Sequence, residues 1–387
     1  MTEILAINHV YLTDPRLSGS LQSVDSTDLR MLKFFCQLCQ NSGAQQLGLM
    51  PRVGVNNLPF HNTFIDAIGA RAPAYDPFFK ESWSDVTDAR AKEIEQLILS
   101  SNKKLGVFWS GGIDSTCIVT AILKNFSQAS RELVTILCTS DSILENPLFY
   151  EKHICPNFKI ENTNNVKILT SPDFIFVDGN GADTLLMSMS PSLDVCMAVR
   201  NGDLLSSAWR TNPDALINYL TKITGSKQFA SWYYEINKAS IESTNVPVET
   251  YFDFMWWISF NYDYYNWVVH SWFFLLKKFN MSWHEHRSKF IGWFRCNSYQ
   301  LWSMNNNGDS VKHGNTLGSL KHHPKKYIYE YDSNEYYYRY KTKINSGGRV
   351  YNPPSVESFA ITNQFEILTL EKDLNRIIEL LPTHINL

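Results

Sequence analysis

The stretch Ser110-Gly111-Gly112-Ile113-Asp114-Ser115-Thr116 constrains this chain more than any other seven residues. It follows a short apolar run, 105–109, that reads as a strand. It leads into 115–125, where Ile118, Ala121 and Ile122 mark one side of a helix. A strand that turns directly into a helix is half of a βαβ unit, so a parallel sheet covered by helices is expected. In such sheets ligands gather outside the carboxyl ends of the strands, where this turn lies. Two glycines let the backbone approach a ligand with no Cβ in the way. The hydroxyls of Ser110, Ser115 and Thr116, with the N–H groups of the helix's first turn, offer donors to a phosphate. Asp114 would repel a phosphate directly and makes sense through a bridging Mg²⁺. The pattern GxxxxGK[ST] is absent, which excludes that kind of nucleotide loop. A plain strand–turn–helix link is the competing reading of the same residues.

The surrounding sequence keeps the same rhythm. Residues 133–138 and 174–177 read as further buried strands, and 148–154 as a short helix. A helix over 85–100 precedes them, with Ala91, Ile94, Leu97 and Ile98 along one face. The expected fold class is therefore α/β, a parallel sheet of approximately five strands with helices on both faces. A mainly helical, aromatic-rich region follows. Three consecutive segments are expected: 1–84 of unassigned role, an α/β core over 85–200, and a helical region over 201–387 that completes the site.

A second glycine-rich turn, Asp178-Gly179-Asn180-Gly181-Ala182-Asp183, ends the strand at 174–177. Asp114 and Asp183 are expected to share one site, because two carboxylates around Mg²⁺ and pyrophosphate would offset charge building on a leaving group. An ordinary turn also accounts for these residues.

The Ser-Gly-Gly-x-Asp-Ser signature resembles that of the PP-loop ATP pyrophosphatases, which include asparagine, β-lactam, argininosuccinate and GMP synthetases and the tRNA-modifying lysidine synthetases. The second turn resembles the Gly-Glu-Gly-Ala-Asp-Glu loop of the asparagine and β-lactam synthetases, with Asp183 matching the metal-associated Asp. Asn180 stands where those enzymes carry Glu, and Thr184 replaces the last acidic residue. A third segment, Leu320 to Lys343, is similar to their C-terminal helix and Arg-x-Lys stretch. By that similarity Lys341, after Arg339, is the catalytic lysine, with Lys343 as the alternative. Altogether the likeness covers roughly 85–350.

The resemblance implies an adenine nucleotide α hydrolase-like fold and a ligase using ATP and Mg²⁺. Such an enzyme activates a carboxylate as an acyl-adenylate, releases pyrophosphate, and passes the acyl group to an amine or ammonia. It places Ser110, Gly111, Gly112, Asp114, Ser115, Thr116, Leu137 and Gly179 at the nucleotide, Asp114 and Asp183 at the metal, and Asp183 and Lys341 in catalysis. The glutaminase domain of asparagine synthetases uses an N-terminal cysteine. This sequence begins Met1-Thr2-Glu3 and its first cysteine is Cys36, so a separate ammonia source is expected.

Other readings come from charge and composition. Net charge is −3, which argues against bulk attraction to polyanions, but 277–346 carries 12 Lys and Arg against 5 Asp and Glu. Tyrosines at 327, 329, 331, 336, 337, 338 and 340 interleave with these cations. Packing is the preferred reading. A nucleic-acid surface over 321–343 is the alternative, which would make the enzyme a base-modifying one acting on tRNA or DNA. An inactive nucleotide-binding scaffold is the third reading. Cys36 and Cys39 form a CxxC with no second pair, so a buried helix face is preferred to zinc. His284, His286, His322 and His323 are read as scattered surface residues rather than ligands. The apolar run 251–276 is interrupted by Asp253, Asn261, Asp263, Asn266 and His270, so buried helices are expected and no membrane span. With seven cysteines in no disulfide-like spacing and no basic, apolar leader, the expected location is cytoplasmic.

Overall fold

The computed structural model describes residues 4–8, 52, 71–188, 205–224, 227–263, 281, 283–308, 311–312, 321–341, 359–362, 367–369 and 376. The chain divides into two units that are discontinuous in sequence. One comprises Met1–Ala72, Met189–His270 and Pro353–Leu387, the other Pro73–Ser188 and Ser271–Asn352.

In the first unit, β1 (Ile4–Asn8) pairs antiparallel with β7 (Phe359–Thr362), which pairs antiparallel with β8 (Ile367–Thr369). The helix Pro213–Thr224 packs against the helix Lys227–Glu242. Every residue of the helix Tyr251–Ile258 is buried, and Asp253 is used at its start in a capping box with Thr250. An internal acid that caps the helix over 251–258 fits a packed domain better than a span in lipid. Among the described residues no helix is long and apolar enough to cross a membrane.

The second unit holds the α/β core. Helix α1 (Trp83–Ser101) starts two residues before the sequence suggested, because Ser82 and Asp85 cap each other's backbone N–H groups. Its buried face carries Val86, Ala91, Ile94 and Ile98. The strands β2 (Lys104–Phe108), β3 (Val134–Cys138), β4 (Lys159–Asn162), β5 (Phe174–Asp178) and β6 (Phe290–Gly292) form one sheet in the order β4-β3-β2-β5-β6. All its pairings are parallel. Strands β4 and β6 are absent from the sequence expectation for physical reasons. Edge strand β4, Lys-Ile-Glu-Asn, has no fully buried residue, and β6 is only three residues long within a region read as helical.

The order of the strands locates the site. The chain steps from β2 outward to β3 and β4, then returns to place β5 on the other side of β2. Right-handed crossovers in opposite directions put the connecting helices on opposite faces and leave a crevice between the carboxyl ends of β2 and β5. On one face, α2 (Ile113–Asn125) packs against α1 and α6 (His322–Asp332). A separate apolar cluster joins Leu137, Leu169, Phe174, Phe176, Met281 and Phe290. Helix α4 (Trp283–Lys289) packs against β5 and β6. The short helices of this unit include α3 (Ala182–Leu186), α5 (Asn297–Asn305) and α7 (Glu335–Tyr340).

Candidate functional site

The first loop of the crevice runs from the end of β2 into α2. Gly111 has φ +75°, and a Cβ there would lie 2.3 Å from the Ser142 carbonyl oxygen, so only glycine fits. Ser115 holds the turn closed: its hydroxyl accepts the Ser110 N–H at 3.1 Å and donates to the Gly112 carbonyl at 3.1 Å. Ser110 Oγ in turn accepts the Gly112 N–H at 3.2 Å. Thr116 is fully buried and its hydroxyl accepts from the Trp109 indole at 3.1 Å. The hydroxyls of Ser115 and Thr116, expected to face a phosphate, are thus occupied in shaping the loop. Backbone donors remain at the helix start, where Gly112 provides no side-chain cap and the Thr116 N–H bonds Gly112 O. A 13-residue helix with an uncapped first turn is favourable for an anion.

The second loop leaves β5 beside the first. A Cβ on Gly179 would sit 3.2 Å from Asp114 Cβ and 3.3 Å from the Ser115 nitrogen, so this glycine permits the two loops to touch. Asp178 is buried, accepts the Asn180 N–H at 2.9 Å and lies 3.5 Å from Arg295 Nη2. Burial pushes its carboxyl above the usual range, against the opposing pull of Arg295. Thr184, at the position of an acidic residue in the resembled loop, is buried and donates to the Gly181 carbonyl at 2.8 Å. Its environment suits a hydroxyl and not a carboxylate.

The two expected carboxylates do come together, around a lysine that the sequence did not single out. Lys321 Nζ lies 2.5 Å from Asp114 Oδ2 and 2.7 Å from Asp183 Oδ1. Asp183 also accepts from the Ser188 hydroxyl. Burial pushes the Asp114 carboxyl up to about 6 against the pull of Lys321, with Asp183 adding to the rise. Burial opposes charge on Lys321, yet Asp114 and Asp183 hold its ammonium above the ordinary lysine range. Asp114 Oδ1 is buried with no hydrogen-bond partner among the described residues. That orphan oxygen fits a carboxylate awaiting a cation. Among the described residues no three His, Cys, Asp or Glu side chains converge on a metal-binding point, so phosphate and water oxygens would complete any Mg²⁺ shell.

Several contacts fix the cations over the loops. Helix α6 is tied to α1 by the Tyr327 hydroxyl, which donates to Asp88. Its far end is held by Asp332, whose carboxylate lies 2.5 Å from His153 Nε2 and 3.2 Å from Lys152 Nζ. Lys321 precedes α6 with φ 60° and ψ 39°, a left-handed conformation that lysine adopts at a cost. On α7, the Tyr337 hydroxyl donates to the Gly111 carbonyl at 3.1 Å. One turn later Lys341 reaches Glu145, Nζ to Oε1 2.5 Å, with both side chains under one-tenth exposed. Glu145 Oε1 lies 3.7 Å from where a Gly112 Cβ would be, so the expected lysine stands beside the first loop. Lys325 is a third cation near these two. Burial, Lys321 and Lys341 together lower its pKa.

Other expectations fare differently. Leu137 is fully buried in the apolar cluster of β3, β5 and β6, so its side chain is core and not a loop-side contact. Its carbonyl accepts the Trp109 N–H. Of the four histidines, His286 is not a surface residue, whereas His323 is partly exposed. His286 is buried and stacked on Phe290, and burial, with Arg295 adding, pushes it down to about 3. The ring of His323 packs 4.8 Å from Trp302, and its Nε2 donates to the Val311 carbonyl. Tyr327 and Tyr337 are packed, whereas Tyr336 and Tyr340 are exposed. Lys343, Cys36, Cys39 and the His284 side chain lie outside the described residues. Lys321, Lys325, Glu145 and Arg295 were missed because no local spacing marks them. Only the basic run 321–326 carried a signal.

Compared with known proteins, the chain matches no family model, no curated protein and no solved structure.

Proposed function

We propose that this chain is a PP-loop-type enzyme that splits ATP into AMP and pyrophosphate while activating a carboxylate for amide formation. The observation that carries the reading is the meeting of Asp114 and Asp183, from loops on β2 and β5, at the crevice where the strand order reverses. In this reading the N–H groups at the start of α2 bind the polyphosphate, and Gly179 keeps that approach open. Asp114 and Asp183 would hold Mg²⁺, which when bound offsets charge on the pyrophosphate leaving group. Lys321 and Lys325 supply positive potential toward the nucleotide's charge. Lys341, oriented by Glu145, is assigned to stabilise charge on the α-phosphate and on the oxyanion formed when the amine attacks. Asn180 cannot act as a base, so the incoming amine is taken to lose its proton to another group or to solvent.

The test is pyrophosphate release from Mg-ATP across amino acids, other carboxylates, ammonia and tRNA. Release dependent on a small carboxylate is expected. A second reading draws on the exposed pair Tyr336 and Tyr340, whose rings lie 5.9 Å apart on α7, the helix that also carries the exposed Arg339. Release only with nucleic acid, bound in a salt-sensitive way, would favour that base-modifying reading. Nucleotide binding without release under any substrate would leave a scaffold.

A further inference from the structure

We propose that Lys321 is an internal counter-ion that keeps a divalent cation out of the Asp114–Asp183 site until a nucleotide arrives. The inference rests on the nucleotide site proposed above and adds how that site is loaded. One ammonium already bridges the two carboxylates, at 2.5 Å from Asp114 Oδ2 and 2.7 Å from Asp183 Oδ1. A Mg²⁺ binding both carboxylates would sit ~2.1 Å from their oxygens, so ammonium and metal compete for the same place. Bare Mg²⁺ also sheds its waters reluctantly and would bring its charge beside a lysine.

A polyphosphate reverses that balance. Its oxygens complete the metal's shell and outweigh the ammonium's charge, so metal and nucleotide enter together. Two features separate this role from packing. Lys321 is held in a left-handed backbone conformation, with α6 anchored through Tyr327 and Asp332. Backbone strain sustained by surrounding contacts is characteristic of functional positions. In addition, Lys321 neutralises the pair without satisfying it, because Asp114 Oδ1 stays buried and unbonded among the described residues. A buried carboxylate oxygen left unbonded beside its counter-ion is open to a further cation.

The experiment is titration of the full chain with Mn²⁺, free ion followed by electron paramagnetic resonance, with and without α,β-methylene-ATP. The wild type is expected to bind Mn²⁺ at least about tenfold more weakly without the analogue. Lys321→Gln should gain about tenfold or more in nucleotide-free affinity, while Lys321→Arg should stay like wild type. Equal wild-type affinity with and without the analogue overturns the inference and leaves the metal site standing. So does a Lys321→Arg variant that binds bare Mn²⁺ as tightly as Lys321→Gln. No Mn²⁺ binding even with the analogue removes the nucleotide site itself, and the inference with it. Should circular dichroism show Lys321→Gln unfolded, the two wild-type titrations and Lys321→Arg decide.

Discussion

The loops after β2 and β5 look alike in sequence, each a glycine-rich turn after a buried strand with an aspartate near its end, but they are built for different work. The first runs into a 13-residue helix with an uncapped first turn. The second runs into α3, five residues long and ended by Met187 in a left-handed conformation. A long helix contributes an aligned dipole and several free N–H groups, whereas a single turn contributes little of either. The second loop therefore offers a carboxylate and little helix dipole, whereas the first, which carries its own carboxylate, Asp114, is the proposed anion site.

The largest expected effect is on turnover. Asp114→Asn and Asp183→Asn should each lower pyrophosphate release by about a thousandfold or more, with circular dichroism unchanged. Retained turnover in Asp114→Asn would sink the assignment, and loss in Asp114→Asn alone would break the pairing of the loops. Next comes the contrast between glycines. Gly111→Ala meets backbone at 2.3 Å and should cost about 3 kcal/mol or more in urea unfolding. Gly181→Ala has φ +101° but only the Arg295 side chain within 3.5 Å, so about 1–2 kcal/mol is expected. Equal costs would mean that the first loop is no more tightly enclosed than the second.

Lys341→Met should lower kcat about a hundredfold with little change in nucleotide affinity, since its charge is assigned to the reacting centre. A rise in KM alone would move Lys341 to ground-state binding. The smallest effect concerns how α7 is pinned to the first loop. Tyr337→Phe removes the hydroxyl that donates to Gly111 O and should cost about 1 kcal/mol of stability. No measurable cost would show that the loop holds its shape without α7.

How much was legible follows from locality. Strands β2, β3 and β5 and helices α1 and α2 were readable because a buried strand and an amphipathic helix write their periods into consecutive residues. The two glycine-rich turns that carry Asp114 and Asp183 were readable because turn chemistry at a strand's end is also local. Strands β4 and β6 were not, since their pairing depends on neighbours supplied by the sheet. The partners of the Thr116 hydroxyl, Trp109 and Tyr337, were not legible, because its position on the helix is set by packing.

The sequence by itself determined the parallel α/β core, the two loops and the presence of lysines near the C-terminal end of that unit. Tertiary structure alone decided that Lys321, 207 residues from Asp114 in the chain, stands between the carboxylates, and that Leu137 packs with Phe174, Phe176 and Phe290. The physical reason is range. Backbone preference and hydrophobic period act over a few residues, whereas a charge finds its partner only after the chain has closed around it.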